Sequence, residues 1–274
     1  PHPPFFHEPR YRVDAEALEL PVSYYEESFA SKPAWQQAHA EGSHSAGDET
    51  QARDELARYY SMIAMMDEHF GRVAEQFKRL GLWDNTIVLF VADHGDMMGA
   101  HRISKKGTLP YEELYNVPCI FKLASGQPSS RAEIDDLVSS VQLAGSLSTL
   151  AGLEAEPFPH GDLCAAFQRD QHADDEIVFF EHHAAYWGVH PFYAARTREF
   201  KYIHYFGDSD TGLQELYHLA VDPHELTNVA GVAEHADTKK RLAQAADAWW
   251  QRTDGRDFAW YESDTFRNNE HNAQ

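Results

Sequence analysis

Asp93, His94 and Asp96 stand directly after Thr86-Ile87-Val88-Leu89-Phe90-Val91, a continuous apolar run. Two carboxylates and an imidazole are side chains that a divalent cation accepts, oxygen donors first and nitrogen second. An apolar run of this length predicts a strand buried on both faces, in a parallel or mixed sheet covered by helices. Open α/β sheets place their ligands just beyond the carboxyl ends of such strands, which is where these polar groups fall. Alone, the tetrapeptide Asp93-His94-Gly95-Asp96 reads more readily as a turn and a helix cap than as a metal site.

The elements around it can be read from periodicity. Between Asp48 and Leu80 the apolar positions Leu56, Tyr59, Tyr60, Ile63, Met66, Phe70, Val73 and Phe77 recur at three- and four-residue steps, which predicts an amphipathic helix closed by Gly81. A loop of roughly 20 residues follows the Asp93 strand, and loops that long in compact domains are usually functional or disordered. It leads to a second strand over Pro118 to Leu123, then a helix over Val138 to Leu150 that Gly152 closes. Beyond residue 170 the pattern changes to short β-type runs at Ile177-Phe180, Phe192-Tyr205 and Gln214-Leu219, with a helix from Glu234 to Trp250. Residues 1–46 show no sustained period and predict mostly loop, with turns at Pro3-Pro4, Pro21 and Pro33. The expected fold is α/β. A mixed, mostly parallel sheet flanked by helices fills residues 1–170, and a small antiparallel sheet with one covering helix fills 171–274.

Composition bounds the partners. The 274 residues carry a formal charge of -21, so nucleic acid and anionic membrane are poor partners, and no run of about 18 apolar residues predicts a membrane span. An anionic small molecule stays compatible, because charges beyond roughly 8 Å are screened at physiological salt while a bound cation dominates locally. The two cysteines, Cys119 and Cys164, have no metal or disulfide spacing, and Cys119 within Val-Pro-Cys-Ile-Phe predicts a buried structural thiol. The chain opens on Pro-His-Pro-Pro-Phe-Phe without Met or a signal pattern, from which we expect that the native beginning lies upstream. No compartment follows.

Asp84-Asn85-Thr86 through Ala92-Asp93-His94-Gly95-Asp96 to Gly99-Ala100-His101, then Lys105-Lys106-Gly107, Tyr111-Glu112-Glu113 and Asn116-Val117-Pro118, resembles the second metal motif of the sulfatases, members of the alkaline-phosphatase superfamily. The resemblance implies that Asp93 and His94 ligate a calcium ion, with manganese or zinc as alternatives, and that Lys106 contacts the sulfate. Lys105 competes for that last role, but the lysine before Gly and a following Tyr-Glu pair is the better match. Pro1-His2-Pro3-Pro4-Phe5 is similar to a Pro-His-x-Pro-Phe element whose histidine faces the sulfate, which makes His2 a candidate sulfate contact and proton donor. His101 is a secondary candidate for the substrate pocket. His182-His183 beside Tyr186-Trp187 could line it too, although a strand-end decoration is the plainer reading. Val138 to Gly152, with Gln142 where the family usually has Asp, and the segments Arg196-Thr197, Lys201-Tyr202-Ile203, Glu215 to Leu219 and Asp222 to Asn228 resemble structural parts of the family.

The family's first metal motif and its Cys- or Ser-x-Pro-x-Arg sequence, whose first residue becomes formylglycine, are not found in the chain. Cys164-Ala165-Ala166-Phe167-Gln168-Arg169 lacks the proline and puts its arginine one place late. The resemblance therefore implies hydrolysis of a small-molecule or saccharide sulfate ester, with the nucleophile in an N-terminal segment that completes the sheet, joined to this chain or as its own N-terminal fragment. The rivals are a phosphonate or phosphodiester hydrolase of the same superfamily and a noncatalytic fragment.

Overall fold

In the computed structural model, residues 2–253 are described apart from 107–108, 128, 130–132, 154–160, 170–175, 184–190 and 207–213. The chain runs α1 (Val22–Glu26), α2 (Ala34–Glu41), α3 (Glu49–Arg79), β1 (Val88–Val91), α4 (Glu112–Tyr115), β2 (Cys119–Lys122), α5 (Leu143–Leu150), β3 (Val178–His182), β4 (Phe192–Arg196), β5 (Phe200–Tyr205), β6 (Gln214–His218) and α6 (Ala236–Arg252). Short 3-10 turns join several of them.

The long helix α3 starts on a reciprocal cap: the Asp48 carboxylate accepts from the Gln51 N–H while the Gln51 side chain accepts from the Asp48 N–H. It ends where Gly81 takes φ +70°, as its sequence position predicts. A similar cap opens the turn before α5, and it uses Gln142 in place of the family's Asp: Gln142 Oε1 accepts from the Ser139 N–H at 2.9 Å.

Strands β3 to β6 form an antiparallel meander in the order β3-β4-β5-β6, with Arg196 opposite Lys201 and Tyr202 opposite Leu216. Successive side chains point to opposite faces, so Tyr193, Tyr202 and Leu216 meet Leu242, Ala246 and Trp250 of α6. Phe192, Ala194, Ile203, Tyr205 and Tyr217 pack on the other face with Trp35 and Tyr115. Both faces of this sheet are covered, which gives the antiparallel sheet and covering helix that the sequence predicts.

The sheet around Asp93 is different. β1 and β2 pair antiparallel, Val88 opposite Lys122 and Val91 opposite Cys119, and no parallel partner of β1 is found among the described residues. Burial is partial along the pair, and Ile120 is 60% exposed. Cys119 is accordingly exposed rather than the buried thiol expected from its apolar neighbours, because nothing described here covers that face of β2.

Residues 1–46 also depart from the expected loop. They include α1 and α2 and send Glu27, Lys32 and Gln36 into the interior. Lys32 Nζ lies 2.5 Å from Glu27 Oε2 and 3.0 Å from the Tyr111 hydroxyl, which bonds in turn to Gln36; the Gln36 amide then donates to Glu215 on β6. Polar pairing, invisible to hydrophobic periodicity, fixes this segment.

Candidate active site

β1 delivers Asp93 and His94 to the mouth of a cavity of about 850 Å³, and the loop before α4 brings Lys106 to the same wall. The His94 Nδ1 lies 2.7 Å from the Gly95 carbonyl oxygen, an atom that can only accept. Nδ1 therefore carries a proton, and in the neutral ring Nε2 holds the lone pair. That nitrogen sits 3.8 Å from Asp93 Oδ2 and 3.4 Å from Lys106 Nζ. The three side chains predicted to work together do meet.

Asp93 is held ionised. Its slight burial opposes this, but the His94 ring, the His94 N–H at 3.0 Å and the Lys106 charge together bring its carboxyl below the usual range. Asp96 behaves otherwise: burial and the nearby Glu55 push it up to about 6 despite the Met98 N–H, and it caps the following turn. The sequence could not separate these two carboxylates; their surroundings do.

A divalent ion would find two donors here. Asp93 Oδ2 and the His94 lone pair are close enough for a single cation with ligands at about 2.0–2.6 Å. Among the described residues no group of three or more potential ligands comes together, so the pair fits part of a coordination shell.

The other candidates lie elsewhere. His2 is at the exposed start of the chain, its Nδ1 2.7 Å from the Pro3 carbonyl, and it does not line the cavity. His101 is fully buried outside the cavity, stacked on Tyr111 with ring centroids 3.8 Å apart and bonded through Nδ1 to Glu27 at 2.5 Å. Its pocket assignment gives way to an interior role, since polar partners from α1 and Lys32 draw it inward. His183 pairs with Glu181 at 3.0 Å, while Tyr186 and Trp187 lie outside the described residues. Burial and Asp162 push the Cys164 thiol up to about 11, which leaves no ready thiolate there.

Glu112, from the Tyr111-Glu112-Glu113 part of the motif, and Arg196 line the cavity and form a second cluster with Lys201 and Glu225. Arg196 grips Glu112 with Nε 3.0 Å from Oε1 and Nη2 2.9 Å from Oε2. Lys201 Nζ, fully buried, lies 3.1 Å from Glu112 Oε1 and 2.5 Å from Glu225 Oε1. Burial works against the Glu112 carboxylate, yet Lys201 and Arg196 hold it below the ordinary range; burial and Glu112 push Glu225 up to about 7 against Lys201. The conjunction of Glu112 with Arg196 and Lys201, some 90 residues apart, carries no local sequence signal.

A family model described as Sulfatase matches residues 2–153, and one described as N-sulphoglucosamine sulphohydrolase, C-terminal, matches residues 99–251. The N-acetylglucosamine-6-O-sulfatase of Bacteroides thetaiotaomicron is 29% identical over 196 residues, covering 68% of this chain and 34% of that protein. Among solved structures, a protein in complex with its substrate D-glucosamine-2-N,6-O-disulfate superposes with a TM-score of 0.72 at 20% identity, covering 94% of this chain and 64% of that one. The phosphonate monoester hydrolase of Agrobacterium radiobacter gives a TM-score of 0.71 at 24% identity, covering 93% of this chain and 55% of that one. These two show the fold. The chain spans about a third to a half of the length of the curated relatives it matches. Since the Sulfatase match takes in more than half of the residues, Asp93, His94 and Lys106 among them, the chain belongs to the sulfatase family.

Proposed function

We propose that this chain is part of a sulfate-ester hydrolase acting on a small-molecule or saccharide ester, and that residues 1–170 belong to its catalytic domain and 171–274 to a C-terminal subdomain. One observation carries the reading: Lys106 Nζ and Asp93 Oδ2 flank the same His94 nitrogen, at 3.4 and 3.8 Å. Asp93 and His94 would hold a divalent ion, calcium by resemblance with manganese or zinc as alternatives. When bound, such an ion lowers the pKa of the attacking group and offsets charge on the sulfuryl oxygens. The Lys106 ammonium holds a nonbridging sulfate oxygen or neutralises the leaving oxygen as charge builds there. The Gly95 carbonyl fixes the His94 tautomer by accepting a hydrogen bond from its Nδ1–H. His2 is assigned as proton donor by its motif alone.

The nucleophile, a formylglycine, is assigned to a segment upstream of Pro1. Support comes from the uncovered apolar side chains Ile63, Met66, Phe70 and Val73 on α3 and Ile120 on β2, a surface of the kind that another segment covers. The N-acetylglucosamine-6-O-sulfatase relative favours a saccharide ester.

The test uses a polypeptide that includes the upstream segment, assayed with an aryl sulfate and a 6-O-sulfated N-acetylglucosamine. Lys106→Ala should lower kcat by about 10²–10³, the usual cost of one oxyanion contact. Asp93→Asn should abolish tight metal binding in calorimetry. Full turnover by either variant overturns the site assignment, and robust turnover by the 274-residue chain alone overturns the external nucleophile. The phosphonate monoester hydrolase fold match keeps a second reading open to the same assay: faster turnover of a phosphonate monoester than of any sulfate ester would replace the sulfatase reading.

A further inference from the structure

The backbone behind His94 is unusually constrained. The Gly95 N–H donates to the Leu114 carbonyl at 2.9 Å, and a Cβ placed on Gly95 would lie 1.8 Å from the Glu113 carbonyl oxygen. Residues 113–114 of α4 thus press directly on Gly95, and only a residue without a side chain allows that approach. The same glycine's carbonyl accepts the hydrogen bond from His94 Nδ1. Whatever places α4 therefore places the imidazole.

α4 has only four residues, too short to hold itself as an isolated helix. Its anchor is the C-terminal sheet. Arg196 closes β4 and Lys201 lies opposite it on β5, and directly paired residues of an antiparallel ladder share one face. Both cations reach Glu112, the first residue of α4. Lys201 also donates to the Pro110 carbonyl at 2.7 Å, and Glu225 accepts from the Glu112 N–H at 2.8 Å. The entry to α4 is held at three points.

We propose that Arg196, Lys201, Glu112 and Glu225 are positioning residues for the reaction site: the C-terminal sheet sets the orientation of His94 through Glu112, α4 and Gly95. This rests on the reading of Asp93, His94 and Lys106 as that site. Charge alone does not suffice for the role, because the planar guanidinium engages both Glu112 oxygens and an ammonium cannot do so. Misplacing a catalytic group by about 1 Å can cost on the order of 100-fold in rate.

The experiment compares Glu112→Gln, Arg196→Lys and Arg196→Met. In the 274-residue chain, long-range nitrogen-proton NMR reads the His94 tautomer and the exchange of the Gly95 amide, with near-ultraviolet circular dichroism confirming an intact aromatic core. Arg196→Met should mix the two His94 tautomers and speed Gly95 exchange at least tenfold; Arg196→Lys should fall between it and the parent. In the polypeptide with its upstream segment, kcat should drop about ten- to 100-fold in the same order, with KM changed less than about threefold. Should Arg196→Met fail to fold, Glu112→Gln and Arg196→Lys carry the test. An unchanged tautomer and unchanged Gly95 protection in folded variants would overturn the positioning link whatever the protein hydrolyses. A shifted tautomer with undiminished sulfatase activity would uphold the link and remove His94 from the reaction site.

Discussion

β5 and β1 are written in similar apolar letters, yet the molecule treats them differently. Phe200 to Tyr205 lies between α6 on one side and α2 with α4 on the other, and Tyr202 and Ile203 are 1% and 0% exposed. Val88 to Val91 is only half-buried, although its sequence is the more continuously apolar. Its neighbour β2 leaves Ile120 open, and most of the α3 stripe faces solvent beyond Ser61. An apolar run thus predicts that a strand is made to be covered, and says nothing of which segment covers it. The C-terminal sheet finds its cover within this chain, and the sheet that presents Asp93 and His94 does not among the described residues.

The sharpest way to break this contrast is in the C-terminal core. Trp250 is 4% exposed and packs on Tyr193 and Phe206, with ring centroids 5.1 and 5.3 Å away. Trp250→Ala should cost about 4 kcal/mol, the range for removing a large buried aromatic, read as a drop in the urea midpoint at constant slope. A loss under about 1 kcal/mol would mean that the sheet is not the self-contained part described above.

Legibility in the sequence follows the same division. The α3 period, the two β-type runs around Asp93 and the α6 stripe predict elements within a few residues of those observed, because the helices each carry an apolar stripe and the two runs are continuously apolar. Asp93, His94 and Lys106 were readable since a strand end and a motif place them. Glu27, Lys32 and Gln36 were not: they are buried by pairing with His101, Tyr111 and Glu215 from distant segments, and polar residues in a Pro-rich stretch look like surface. His101 failed as a pocket residue for the same reason. Arg196 and Lys201 were readable as a signature and not as a clamp, because only the register of β4 on β5 sets them side by side.

That buried network joins the two regions, so acid should part them. Burial alone would push Glu27 up, but the hydrogen bond from His101 and the Lys32 charge bring it down from 4.5 to about 2. A carboxyl lowered on folding stabilises fully above its unfolded value and loses that contribution as the pH falls through its folded one. At about 1.4 kcal/mol per pH unit, Glu27 contributes about 3 kcal/mol at neutral pH, all of it lost on acidifying from 4.5 to below 2. His101, lowered by burial and by Lys32 against the pull of Glu27, adds a loss in the same direction beginning as the pH falls below 6.5. Glu225 and Asp96, both raised on folding, gain stability as the pH falls through that upper range and oppose the His101 loss. The diagnostic fall in the urea midpoint therefore lies between pH 4.5 and 2, and Glu27→Gln should remove it. A midpoint flat from pH 5 to 2 in the parent chain would show that the network does not hold the two regions together.

The smallest expected effect is the most diagnostic. Ile120, at 60% exposure, already faces water, so Ile120→Lys in the 274-residue chain exchanges one exposed side chain for another. It should change stability by less than about 0.5 kcal/mol, as surface substitutions do, and should weaken dye binding to the open apolar face. In the polypeptide with its upstream segment the same substitution would put an ammonium under the proposed covering segment, and a buried unpaired charge is costly. There it should lower the unfolding midpoint clearly, while Trp250→Ala should cost the same in both polypeptides. Equal, negligible effects of Ile120→Lys in the two would mean that the exposed face of β2 is true surface, and the uncovered half of the molecule would need no further segment to explain it.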